Sequence, residues 1–145
     1  MTPILKFCDS GEDTELSIKA RGWLGVPFRH QGRSRYGVDC LGLLVKLAEE
    51  LQLTSRENNA FWSEDRTDYG HYPNALELLS ETDSIVPGVV LLLEVDRRAT
   101  HLGIASKYSQ GGMGLIHAYA PARKVIEEPL SSYWLGRVVS AFSLS

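Results

Sequence analysis

Apolar residues recur along this chain in two rhythms, one in each half. Between residues 14 and 24, Leu16, Ala20, Trp23 and Leu24 fall on one face of a 3.6-residue period. Thr14 is suited to cap that helix, and Gly25 with Pro27 ends it. A polar segment follows over 27–37. From Asp39 to Leu51 the spacing of Leu41, Leu44, Val45, Ala48 and Leu51 predicts a second helix, with Lys46, Glu49 and Glu50 outside the apolar stripe. Asp39 is a favourable N-cap, which places Cys40 in the first turn. Residues 54–72 are polar and aromatic without a period and read as a long loop, and Asn74 to Glu81 reads as a short helix. After the Pro87-Gly88 turn the rhythm changes. The stretches 89–95, 101–108, 113–119, 123–128 and 137–143 are short, rich in Val, Ile, Leu or Tyr, and separated by Gly, Pro, Ser or charges, so they read as strands. Helices first and strands afterwards predict an α+β fold, with the helices packed on an antiparallel sheet of about five strands.

Length and charge narrow the picture. The 145 residues form a single domain, 1–145, without a repeat or a low-complexity tract; a chain of this size buries roughly 70% of its unfolded surface. With 43% hydrophobic and 23% charged residues the chain is not a disordered one. A net charge of −3 argues against a nucleic-acid partner, although Arg29, His30, Arg33 and Arg35 form a local basic cluster. Two cysteines, Cys8 and Cys40, are too few for a disulfide-dense scaffold and read as free thiols of a reducing compartment. The N-terminus lacks a signal-peptide pattern. The longest apolar run, Val89 to Leu93, is too short for a membrane span. The expectation is synthesis in the cytoplasm without membrane insertion.

Three residues carry candidate chemistry. Sulfur attacks as the thiolate, and a helix N-terminus lowers a thiol's pKa from its usual value of about 8.5. Cys40 has that position, and its first-turn N–H is placed to donate to an oxyanion. The alternative is a small buried core cysteine. His101 opens a strand, where a rigidly held imidazole suits a base that must reach a thiol. His117 lies late in the next strand. In a hairpin the two histidines become neighbours, and His117 takes the orienting role of a triad's third group. These placements predict a thiolate–imidazolium pair of Cys40 and His101. A zinc site made of Cys40, His101 and His117 has suitable ligand types, but the chain lacks a close Cys-x-x-Cys or His-x-x-x-His pair, so no metal is expected. Arg29, Arg33 and Arg35 suit carboxylate ligands, the alternative being a solvated loop. Cys8 reads as structural, and His71, beside Tyr69 and Tyr72, reads equally as a binding or a surface residue.

Gly25-Val26-Pro27-Phe28-Arg29, Gly37-Val38-Asp39-Cys40-Leu41-Gly42-Leu43, Pro87-Gly88-Val89-Val90, His101-Leu102-Gly103-Ile104 and Ile116-His117-Ala118 appear in this order. Together they resemble the NlpC-type cell-wall endopeptidases, closest to the branch encoded by phages and prophages. The resemblance spans residues 14 to 120. It implies a papain-like fold without a cofactor. It also implies a Cys40 nucleophile, a His101 base and a His117 orienting group acting on peptidoglycan stem peptides, typically between γ-D-glutamate and a diamino acid. The branch implies phage tail proteins as partners and delivery to the wall in a virion. The substrate-binding positions that the resemblance marks are Phe28, Arg29 and Asp39. The family usually has Tyr at the position of Phe28, with a hydroxyl that holds the oxyanion or substrate. Many members have Ser at the position of Leu41, which with the preceding Asp binds a stem-peptide amine. A further departure is Val89, where Asp often follows the Pro-Gly turn. Two rival readings are a tail-tip assembly component with little activity and an acyltransferase or amidase; relatives of the latter kind with permuted order place His before Cys, whereas Cys40 precedes both histidines here.

Overall fold

The structure, a computed structural model, describes residues 5–7, 11–52 and 79–144. A short strand, β1 (Lys6–Phe7), precedes helix α1 (Glu15–Arg21). The helix starts at a capping box: the Ser17 N–H donates to Thr14 Oγ1, and the Thr14 N–H donates to Ser17 Oγ. Two donors that a helix start leaves over are thereby satisfied. The helix is shorter than the predicted 14–24. The N–H groups of Gly22, Trp23 and Leu24 bond back to the carbonyls of Lys19, Ala20 and Arg21, a tightened turn that ends the helix. Leu16, Ala20 and Trp23 stay buried as expected, but this turn leaves Leu24 39% exposed.

The polar segment 27–37 is more ordered than the sequence suggested. Strands β2 (Arg33–Ser34) and β3 (Gly37–Val38) pair antiparallel and lead directly into helix α2 (Cys40–Glu50). Leu41, Leu43, Leu44, Val45, Leu47 and Ala48 of α2 are all buried. This is a wider face than the predicted stripe, because α2 touches α1, the β2–β3 hairpin and the sheet together. Among the described residues no helix is long and apolar enough to cross a membrane.

The second half contributes β4 (Leu79–Thr82), β5 (Ser84–Ile85), β6 (Val90–Val95), β7 (Arg98–Lys107), β8 (Met113–Tyr119) and β9 (Lys124–Pro129). A one-turn helix, α3 (Ser132–Leu135), precedes the last strand, β10 (Val138–Leu144). Six strands form one antiparallel sheet in the order β4-β10-β6-β7-β8-β9, and β1 pairs in parallel with β5. The sixth strand corrects the sequence reading. Leu79 to Glu81 are strand rather than the end of a helix, because β4 pairs with Ala141–Leu144, a partner that the local pattern does not contain. The rest of that predicted helix and the predicted loop 54–72 lie outside the described residues.

Alternating strand positions serve two cores. Val90, Leu92, Leu102, Ile104, Ile116, Ala118 and Val125 pack against α1 and α2. Leu91, Leu93, Ala105, Met113, Leu115 and Ala141 pack on the other side with Leu130 and Trp134 of the C-terminal segment. A sheet covered on both faces explains the near-continuous apolar run in β6. Arg21, at the end of α1, fixes the helix layer to the sheet through Asp13 at 3.0 Å and Glu127 at 2.9 Å. Glu127 in turn accepts from Ser106 Oγ at 2.6 Å.

Candidate active site

Cys40 is the first residue of α2, and the loop before it is strapped onto that turn by Asp39. Asp39 Oδ1 accepts from the Gly42 N–H at 2.7 Å and from Arg33 Nη1 at 3.0 Å. Its Oδ2 accepts from the Gln31 N–H at 2.9 Å. The strap needs glycine at position 42. A Cβ there would run into the Gly32 carbonyl oxygen, a backbone atom that cannot move alone. The helix start is thus held in place before the sulfur meets anything else.

The sulfur of Cys40 lies 3.8 Å from the Thr100 carbonyl oxygen. Thr100 is where the β6–β7 ladder breaks: Leu93 pairs with His101 and Glu94 with Ala99, so Thr100 is an extra residue. Such bulges bend a strand and re-aim its groups. Here the bulge directs a backbone carbonyl at the sulfur, one residue before His101.

His101 and His117 meet across β7 and β8. Ile104 pairs with Ile116, so continuing the register sets Gly103 opposite His117 and makes His101 its diagonal neighbour on the same face. His101 Nε2 and His117 Nδ1 are 2.7 Å apart. Gly103 keeps the space between the strands open, since a Cβ there would lie 2.5 Å from Leu115 Cδ1 and 3.4 Å from His117 Cβ. The chain of polar groups continues beyond what the sequence indicated. His117 Nε2 lies 2.9 Å from Glu128 Oε2, and Trp134 Nε1 donates to Glu128 Oε1 at 3.1 Å. Tyr119 stacks on His117 with centroids 4.8 Å apart, and Trp134 meets the same ring edge-on at 5.1 Å.

Burial sets the charge state of these rings. His101 is 9% exposed and His117 is fully buried. Desolvation, with the neighbouring His117 adding to it, pushes the His101 imidazole down to about 3. Desolvation also lowers His117, against the opposing hydrogen bond and charge of Glu128. Both effects favour neutral imidazoles. They oppose the thiolate–imidazolium pair expected from the sequence.

The remaining predicted residues divide. Phe28 is half-buried, packs on the helix-side core and bridges to Val38, two residues before Cys40. Arg29 is exposed, with its N–H on the Val38 carbonyl and its stem beside Gly37. Arg33 is paired with Asp39. Arg35 lies 3.7 Å over the Trp23 ring and pairs with Glu50 at 3.3 Å. Two of the three arginines are therefore engaged within the chain. Leu41 is 1% exposed and belongs to the core. Cys8 and His71 lie outside the described residues.

Glu128, Trp134, Tyr119 and Thr100 were not singled out from the sequence. Strand alternation from His117 across to β9 is the signal that reaches Glu128, and it needs the β8–β9 register, in which Leu115 pairs with Glu128. Nothing local marks the other three.

Two imidazole nitrogens on one tetrahedral zinc stand about 3.3 Å apart, given Zn–N lengths of about 2.0–2.1 Å. The 2.7 Å His101–His117 contact is a hydrogen bond instead. Among the described residues no group of three or more His, Cys, Asp or Glu is arranged to hold a metal ion. A cavity of about 360 Å³ lined by Thr14, Leu16, Leu51 and Leu144, among others, sits at the other end of α2 from Cys40.

No family model and no curated protein matches the sequence. Solved structures do. The NlpC/p60 domain of the peptidoglycan hydrolase SagA superposes with a TM-score of 0.58 at 16% identity, covering 89% of this chain and 96% of that one. A protein similar to lipoprotein, of the NLP/P60 family, from Staphylococcus aureus Mu50 gives 0.61 at 17% identity, covering 94% of this chain. An NlpC/P60 family protein from Bacillus cereus ATCC 10987 gives 0.57 at 17% identity, covering 88% of this chain. The chain spans 43% and 38% of the length of the last two proteins. The helices packed on a six-stranded antiparallel sheet, together with the likeness to these three structures, make this chain an α+β protein with the papain-like fold of NlpC/p60 domains.

Proposed function

We propose that this protein is a cysteine peptidase that hydrolyses peptide stems of bacterial peptidoglycan, with Cys40 as nucleophile, His101 as base and His117 as orienting group. The observation that carries this reading is the arrangement at one end of the sheet. There the Cys40 sulfur sits on the Thr100 carbonyl, and His101 Nε2 is taken by His117 at 2.7 Å. His101 Nδ1 is then the ring nitrogen left for the thiol. The fold it shares with a peptidoglycan hydrolase domain supports the substrate class.

In this mechanism the neutral imidazole acts as general base. Sulfur attacks the stem amide carbonyl while His101 Nδ1 takes the thiol proton. The first-turn N–H dipoles of α2 stabilise the oxyanion. The imidazolium then protonates the leaving amine, giving an acyl-enzyme. A water molecule, losing its proton to His101, adds to the thioester carbonyl, and the thiol is regenerated as the acid product departs. No cofactor takes part. The bond cut is that between γ-D-glutamate and a diamino acid. Arg29 binds a stem carboxylate. Asp39 offers its one remaining lone-pair site to a stem amine, since a carboxylate has about four such sites and three are taken within the chain.

Digestion of purified muropeptides by wild type and Cys40→Ala, with products read by mass, tests this. Wild type is expected to release stem fragments and the variant none. Intact muropeptides with wild type, or equal cleavage by both, overturn the reading. Phe28 favours a second one, a phage tail-tip assembly component with little activity, because a phenyl ring has no hydroxyl to offer an oxyanion and loss of one such donor costs about 10²–10³ in rate. That reading predicts the protein in purified virions and uncut muropeptides.

A further inference from the structure

We propose that Glu128, held by Trp134, is a positioning residue that sets the tautomer of His117 and, through it, that of His101. This rests on the reading of Cys40 and His101 as nucleophile and base. Glu128 stands at the end of a line of three groups: its Oε2 is 2.9 Å from His117 Nε2, and His117 Nδ1 is 2.7 Å from His101 Nε2. Each neutral imidazole carries one N–H and one acceptor nitrogen. A carboxylate only accepts, so His117 places its single N–H at Nε2, toward Glu128. His117 Nδ1 is then an acceptor. His101 must supply the proton in that bond from Nε2, which leaves the lone pair on His101 Nδ1, the nitrogen that takes the thiol proton. The burial of both rings favours the neutral forms in which each has a single N–H to place.

Trp134 gives this arrangement its direction. An indole N–H only donates, and it donates to Glu128 Oε1 at 3.1 Å. Both carboxylate oxygens therefore face groups that need an acceptor. Glutamine has the same shape but one oxygen and one NH₂. In Glu128→Gln the amide oxygen is required by Trp134, so the NH₂ turns to His117 Nε2. His117 must then carry its proton on Nδ1 and donate to His101 Nε2. His101 is left with its proton on Nδ1, facing the thiol with a donor. A single change of one oxygen to nitrogen inverts two rings.

The test is a double-mutant cycle in the full chain with Glu128→Gln, Trp134→Phe and the pair. The first readout is the rate at which iodoacetamide labels the peptide containing Cys40. The second is the tautomer of each histidine from long-range ¹⁵N–¹H NMR. A carboxylate-to-amide change that inverts a triad imidazole costs up to about 10⁴ in rate. Through two rings, Glu128→Gln is expected to slow Cys40 labelling by about 10²-fold when Trp134 is present, with both histidines changing tautomer. In the Trp134→Phe background the amide is free to turn its oxygen to His117, and the same change is expected to cost less than about 3-fold. Unchanged tautomers in Glu128→Gln, or an equal cost in both backgrounds, overturn the proposal. A role in packing alone predicts that equal cost. The NMR readout does not depend on whether muropeptides are cut, so failure of the peptidase reading is seen separately.

Discussion

His101 Nε2 and His117 Nδ1 are hydrogen-bonded at 2.7 Å although sixteen positions separate the two residues. One hairpin register produces the contact, and Gly103, set opposite His117, leaves room for it. From this pair follow the charge state of the site and most of what can be tested.

Replacing His117 by Ala is expected to lower kcat by about 10²-fold with little change in KM, because the orienting acceptor for His101 is lost while substrate contacts stay. The full burial of His117 makes the variant less stable as well, by about 1–3 kcal/mol, since the His101 N–H and the Glu128 carboxylate lose their shared partner. Muropeptide kinetics and urea unfolding measure the two effects. A rise in KM at constant kcat would assign His117 to substrate binding instead.

Stability is expected to fall as pH drops below neutrality. A histidine with a folded pKa below its unfolded value binds protons better in the unfolded chain, so its contribution is present above the unfolded value and lost on acidification. For His101 the window runs from 6.5 down to about 3. His117 is shifted in the same direction. Each histidine contributes a slope of up to ~1.4 kcal/mol per pH unit inside its window. Urea midpoints at pH 7 and pH 5 check this, with the midpoint lower at pH 5. Equal midpoints mean that the two rings take up protons in the folded protein as they do in the unfolded chain.

Gly42→Ala is expected to destabilise the fold by about 1–3 kcal/mol, the usual range for an extra methyl in a packed site. The new Cβ meets the Gly32 carbonyl oxygen and Arg33 Nη1. The strap from Asp39 to the first turn of α2 must shift, and Cys40 with it. Slower labelling of Cys40 by iodoacetamide, alongside a lower unfolding midpoint, is the expected joint result. Normal labelling in a destabilised variant would separate the strap from the reactivity of the thiol.

The arginines separate by their partners. Arg29→Ala is expected to raise KM for stem peptides several-fold and leave the unfolding midpoint unchanged, because the Arg29 side chain is exposed. Arg35→Ala is expected to do the reverse. It removes a guanidinium stacked on Trp23, a contact worth about 0.5–1 kcal/mol at an exposed site. Parallel kinetics and unfolding of the two variants decide the matter. A KM effect from Arg35 alone would place the substrate on the other side of the loop.

Much of this protein is written locally. The cap at Thr14, Cys40 in the first turn of α2 and four strands close to their predicted bounds all depend on neighbours within a few residues, where side-chain period and capping chemistry act. The antiparallel placement of His101 and His117 was also legible, because consecutive strands joined by a short glycine-containing turn pair with each other. Tertiary structure alone decided the rest. The β4 segment is a strand only because β10 returns beside it. Thr100 becomes a bulge only against β6. Arg33 and Arg35 look alike in sequence until Asp39, Trp23 and Glu50 claim them. Glu128 and Trp134 reach His117 through a strand register and a one-turn helix that no periodicity announces. Local pattern determines which backbone shape a segment favours. Which polar groups share a dry space depends on contacts between distant segments, and in that space the number of available donors and acceptors dictates where each proton sits.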